Sequence, residues 1–147
     1  MRKIILAVIA VAMIAATPIM AQSLPGTWKG TGEGICPPPF PTPLPVMMNP
    51  WQNWKGEIPA TGTSFKGSWY DGPGYKGNFS GLILLSTPTF AVCNGQWTVI
   101  NPYTDPPQEI VMGNFTMRFY YADLTCKGEW YTSSAVYRGT MEGAQVD

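Results

Sequence analysis

Beyond residue 25, bulky apolar residues alternate with polar ones at a period of two, the spacing at which side chains share one face of a β-strand. Tyr75, Gly77, Phe79, Gly81, Ile83 and Leu85 fall on one face. So do Val111, Gly113, Phe115, Met117, Phe119 and Tyr121, with Asn114, Thr116, Arg118 and Tyr120 opposite them. No stretch after residue 21 carries a clean helical period. The alternation predicts half-buried antiparallel strands.

A short motif repeats through these segments: a bulky residue, usually a base, a glycine, any residue, and a second bulky residue. It reads Trp54-Lys55-Gly56-Glu57-Ile58, Phe65-Lys66-Gly67-Ser68-Trp69 and Tyr75-Lys76-Gly77-Asn78-Phe79. It returns as Cys93-Asn94-Gly95-Gln96-Trp97, Val111-Met112-Gly113-Asn114-Phe115, Cys126-Lys127-Gly128-Glu129-Trp130 and Tyr137-Arg138-Gly139-Thr140-Met141. Trp28-Lys29-Gly30-Thr31 opens the series in shortened form. At a period of two, the bulky residues and the glycine point inward and the base points to water. Glycine weakens a strand, so its recurrence implies a purpose. Each glycine is expected to leave a notch for an aromatic ring from the neighbouring strand, and to let the sheet curl.

Turn signals separate the segments. Asp71-Gly72-Pro73-Gly74 reads as a hairpin, with Ala122-Asp123-Leu124 and Thr132-Ser133-Ser134 as short connections. The stretch 37–50 holds seven prolines and cannot be a central strand; it is expected as an extended loop. Strands are expected at roughly 26–34, 52–58, 63–70, 75–85, 89–100, 109–121, 125–131 and 135–142. The fold class is therefore all-β: a single antiparallel meander of about eight strands, closed or nearly closed into a barrel. A two-sheet sandwich or a flat sheet is the alternative.

The first residues change the setting. Met1-Arg2-Lys3, the apolar run Ile4–Ala16 and Thr17-Pro18-Ile19-Met20-Ala21 have the make-up of a signal peptide, 1–21. The run is short of the ~20 residues that a spanning helix needs. An uncleaved anchor is the competing reading. Either way the remaining 22–147 domain is expected outside the cytoplasm, secreted or in the cell envelope, with the membrane involved only during export. Loss of Arg2 and Lys3 leaves seven basic residues against nine acidic, a net charge of −2. No basic patch suits nucleic acid.

The chemistry that the chain can offer is narrow. It has no histidine, so the usual general base of nucleophilic catalysis is missing and no metal or other cofactor is expected. The carboxylates fall in turns or beside lysines on strand faces, and no enzyme motif appears. Three cysteines in an oxidising compartment suggest one disulfide and one leftover thiol. Cys93 and Cys126 share a motif position and an interior, which makes them the expected pair. The strand between them argues the other way, setting their backbones roughly 9–10 Å apart against a limit of about 7 Å. Cys36 would be the free thiol, open to a second molecule. Asn78-Phe79-Ser80 and Asn114-Phe115-Thr116 match the N-glycosylation sequon and face outward, although their mid-strand positions favour chance.

Two families resemble parts of the chain. Leu24-Pro25-Gly26-Thr27-Trp28 is similar to the Gly-X-Trp opening of the calycins, the avidin and lipocalin group of eight-stranded ligand-binding barrels. That resemblance implies a basic residue of the last strand covering the tryptophan, a part that Arg138 would take. No biotin-contacting set can be matched. Tyr75-Lys76-Gly77-Asn78-Phe79-Ser80-Gly81 and Tyr137-Arg138-Gly139-Thr140-Met141-Glu142-Gly143 resemble MORN repeats, which imply an open scaffold sheet, but the spacing here is irregular.

Trp28, Trp54, Trp69, Trp97 and Trp130 all lie on the expected inner face. They would line a site for a small apolar or sugar-like ligand, or else pack as core around the glycines. Trp51, outside the motif and beside the proline loop, is expected at the surface and is the better candidate for an exposed ligand contact. The function expected is a non-catalytic extracellular binding module for a small molecule or glycan. The alternative is a structural or adhesive cell-surface protein acting through its outer face and proline-rich loop. A cavity would favour the first, a solid core the second.

Overall fold

A computed structural model describes residues 24–146 of the chain, so the expected signal peptide lies outside the described residues. Eight strands follow one another: β1 (Gly26–Glu33), β2 (Asn53–Ile58), β3 (Ser64–Tyr70), β4 (Lys76–Ser86), β5 (Phe90–Asn101), β6 (Gln108–Tyr120), β7 (Thr125–Thr132) and β8 (Arg138–Val146). Each pairs antiparallel with the next, and β8 returns to β1, closing the barrel. Closure leaves no open sheet of the kind that a MORN-like stack would build. The period-two pattern predicts seven of the strands to within two residues at each end. The eighth was expected at 135–142 and instead runs on to Val146, because Gly143 to Val146 pair with Gly30 to Thr27 of β1. A hydrophobic pattern cannot report a strand end held by backbone pairing alone.

The repeat sets the register. Trp28 faces Gly56, Trp54 faces Gly30, Trp69 faces Gly77, Trp97 faces Gly113 and Trp130 faces Gly139 across neighbouring strands. A Cβ at Gly56 would meet the rings of Phe65 and Phe79; at Gly67, Phe79; at Gly77, Trp69; at Gly95, Phe115; at Gly139, Trp130. Two positions depart from the expected aromatic notch. Gly128 lies against Met117, and Gly113 lies against the backbone of Tyr131 and Thr132. Lys29, Lys55, Lys66, Lys76 and Lys127, next to the glycines, are exposed.

Two bulges interrupt the alternation. Trp97 pairs with Gly113 but Thr98 pairs with Val111, so Met112 is the extra residue. Beyond it the faces swap: Val111, expected inside, is exposed. The β4–β5 ladder slips likewise between Ile83 and Leu85, and Leu85 turns outward.

Alternate connections of a meander lie at opposite ends. The chain 34–52 after β1, and the connections after β3, β5 and β7, gather at one end, called here the loop end. The connections after β2, β4 and β6 lie at the other, the turn end.

Candidate functional site

All five motif tryptophans are buried, and their indole N–H groups are spent on backbone carbonyls. Three repeat the same stride. Trp69 of β3 passes over Gly77 of β4 and donates to Thr98 O of β5 at 2.8 Å. Trp97 of β5 passes over Gly113 of β6 to Tyr131 O of β7 at 3.2 Å. Trp130 of β7 passes over Gly139 of β8 to Glu33 O of β1 at 3.2 Å. The rings meet edge to face, 6.1 Å from Trp69 to Trp97 and 5.4 Å from Trp97 to Trp130. Trp54 bonds Thr31 O and Trp28 bonds Leu24 O. Gly34, where the first strand gives way to the loop, has φ +122° and leaves room for the Trp130 ring, whose Cζ2 would lie 2.6 Å from a Cβ there.

Trp51 corrects the sequence reading. Expected at the surface, it is fully buried, inserted from the proline-rich loop into the barrel mouth. Its ring stacks on Phe79 at 4.4 Å and 20°, with Phe115 at 5.0 Å and Trp54 at 6.2 Å. Phe65 and Phe119 pack at 5.0 Å deeper in, and Trp28 meets Phe119 at 4.8 Å towards the turn end. The inner aromatic faces are thus turned on one another.

Arg138 does not cover Trp28. It is exposed and pairs with Tyr131 at the loop end, whereas Trp28 sits opposite Gln145 near the turn end. Gln145 Nε2 donates to Pro25 O at 3.0 Å, securing the segment that receives the Trp28 indole. The repeat explains the failure, since it places its base on the outer face.

The proline-rich loop is fixed by a buried carboxylate. Asp71, 5% exposed, accepts Asn49 N at 2.9 Å through one oxygen, and Gly74 N at 2.9 Å and Tyr75 N at 2.7 Å through the other. Burial pushes its carboxyl above the ordinary value, with these N–H groups pulling the opposite way. Tyr75 donates its hydroxyl to Val46 O at 3.0 Å. Phe40 packs between Tyr75 at 6.2 Å and Tyr103 at 6.1 Å. Cys36 and Met48 form a small bridge beneath. Sequence reasoning missed Asp71, Tyr75, Phe40 and Tyr103; only the Asp-Gly-Pro-Gly turn hinted at the first.

Above this frame lies a groove of about 500 Å³ between the proline-rich loop, the β3–β4 turn and the β5–β6 loop. Leu44, Val46, Pro73, Tyr75, Pro102 and Tyr103 are among its walls, and no lining residue is charged. Leu44 is 68% and Tyr103 58% exposed. Residues 34–52 contain no Asp, Glu, Lys or Arg at all. The arrangement offers apolar edges and a ring face. Three other hollows lie on the outer wall: one between β2 and β3 with Lys55, Glu57 and Lys66, one across β6–β8 with Arg118, Lys127 and Glu129, and a smaller one between β1 and β8 with Glu33 and Glu142. Long, exposed, charged side chains stand among the walls of all three.

The cysteines are three separate buried thiols, so the expected Cys93–Cys126 link is not formed. Cys93 faces Met117 and Cys126 faces Phe119, with all of β6 between them. Burial pushes each thiol up to about 12, and the Asp71 charge adds to this at Cys36. Cys36 is enclosed rather than open to a second molecule. Asn114 is exposed in mid-strand; Asn78 is half-buried and donates its amide to Glu109 at 3.1 Å. Among the described residues, no three His, Cys, Asp or Glu side chains gather as a metal site would need. No protein-family model, curated protein or solved structure matches the chain.

Proposed function

We propose that this is a non-catalytic binding module of the cell exterior, a calycin-like barrel that takes a small apolar or sugar-like ligand at its loop end instead of in its interior. One observation carries the reading. The inner aromatic rings are packed against one another, while the uncharged groove beside Tyr103 and Leu44 is open and held on a rigid frame. An exposed tyrosine face flanked by proline and leucine suits the C–H face of a sugar ring or a short apolar chain. The barrel topology supports the calycin comparison, and the opening Gly26-Thr27-Trp28 lies at the end away from the groove. The N-terminal segment supports export.

The adhesive alternative draws on Ile35 and Val136, exposed in the β1–β2 and β7–β8 connections of the same end and outside the groove. Backbone NMR of the 22–147 chain, titrated with short oligosaccharides and linear alcohols, tests the proposal. Shifts should cluster at Leu44, Val46 and Tyr103. Leu44→Asp, at a position 68% exposed, should abolish them without moving the unfolding midpoint. Shifts only at sites away from the loop end, or none across the panel, would refute a groove site. Attachment to a polysaccharide surface that is lost in Ile35→Asp but kept in the groove variant would favour adhesion.

A further inference from the structure

Trp51 differs from the other five tryptophans in three ways. Its backbone lies in the left-handed region, φ +62°, which a bulky residue rarely adopts. Its Nε1 is buried with no hydrogen-bond partner, whereas each of the other five donates to a carbonyl. And it sits in a turn of a loop, held by the Gln52 N to Asn49 O bond instead of by a strand ladder. A residue that merely filled the core would be expected to share at most one of these features. Strain and an unmet donor together mark a conformation held by its surroundings, with something to gain by leaving.

The seat that it occupies is built. A Cβ on Gly32 would lie 2.6 Å from Trp51 O and 3.0 Å from Trp51 Cβ, so glycine in β1 admits the plug. Asn49 and Gln52 are pinned on either side, the first by Asp71 and the second through its carbonyl, which accepts Gly32 N at 3.3 Å. Gln52 N also donates to Asn49 O at 3.2 Å, closing a turn with Pro50 second and Trp51 third, so the plug leaves only as that turn rearranges between the pins. Inside, Phe79 supplies a parallel face at 4.4 Å, and Phe115 and Trp54 close the edges.

We infer that Trp51 is an exchangeable plug, the internal stand-in for a flat, uncharged aromatic or heteroaromatic ligand of about indole size that stacks on Phe79. When such a ligand enters, it regains the stacking that the indole gives up. The loop returns to ordinary backbone angles and the Trp51 N–H reaches water. The exchange is thus close to balanced, which is the condition for a ligand to tip it. This site is separate from the groove, on the inner side of the same loop.

The test uses indole as the probe. The unaltered 22–147 chain is labelled with 5-fluorotryptophan, the Trp51 fluorine signal is assigned with Trp51→Phe, and indole is titrated in. The Trp51 signal should move to a solvent-exposed position and become open to a soluble paramagnetic quencher, while the other five stay protected. Trp51→Gly, which removes both the plug and the backbone conflict, should bind indole about 100-fold more tightly than the unaltered chain, as expected for a seat open about 1% of the time. Equal affinity in the two chains would overturn the plug. So would Trp51 staying protected up to the solubility limit of indole, or all six signals becoming exposed together. Should Trp51→Gly fail to fold, the titration of the unaltered chain decides alone.

Discussion

Gly77→Ala isolates the stride of Trp69 across β4. A Cβ at residue 77 would collide with Thr98 O and lie 2.6 Å from Trp69 Nε1, driving a methyl between the donor and acceptor of a 2.8 Å hydrogen bond. Overpacking of this kind costs ~1–3 kcal/mol. Leaving the buried indole N–H and carbonyl unpaired costs a further ~1–3 kcal/mol. The lower backbone entropy of the unfolded alanine chain returns at most ~1 kcal/mol. The expected net loss is ~2–4 kcal/mol, read as a urea midpoint lower by about 1–2 M at unchanged slope. Gly72→Ala is the control, because its Cβ would meet nothing nearer than Gln52 Oε1 at 3.6 Å. A double-mutant cycle with Trp69→Phe sharpens the test: the alanine should cost less once the N–H is gone. If Gly77→Ala stays within ~0.5 kcal/mol of the parent, or the cycle shows no coupling, the notch does not carry the indole bond.

Two further outcomes are expected. Asp71→Asn sets an amide N–H against a backbone N–H and should cost ~1–3 kcal/mol in unfolding free energy. Because burial raises the Asp71 carboxyl above its ordinary 3.8, its contribution is fully present below that pH and is lost as pH rises through the raised value. The parent should therefore lead the variant most at the acid end, and a lead that grows towards neutrality would contradict this. Iodoacetamide should add nothing to the native chain and three groups to the denatured one, since all three thiols are buried and held near 12. A denatured chain that takes up only one group would report a disulfide.

Most of the barrel was legible because period two, inward glycines and proline or glycine turns act locally and agree with one another. What escaped the sequence depends on residues far apart in it. Nothing next to Trp51 says that it enters the barrel; its burial is set by Gly32 on β1 and the pins at Asn49 and Gln52. The bulge at Met112 is equally silent, because Ile110, Val111 and Met112 could each face inward until the pairing with Trp97 and Thr98 is known. The exposed position of Arg138 was readable from the repeat, whose base always faces out, and the calycin analogy alone suggested otherwise. The groove was invisible for a different reason. Leu44, Tyr75 and Tyr103 belong to three separate connections and meet only because alternate loops of a meander share an end.

Seven of the eight strand pairings join neighbours in sequence, and the eighth joins the two ends of the chain. The Trp130 to Glu33 bond spans 97 residues and crosses that last junction. Closing a loop of that length instead of one of about 12 residues costs roughly 2 kcal/mol more in chain entropy. The hairpins can assemble in any order and cheaply, but the ring cannot form until both ends are present and aligned. Folding of this barrel is therefore expected to be slow at one step and quick everywhere else, with the β1–β8 junction the last to form.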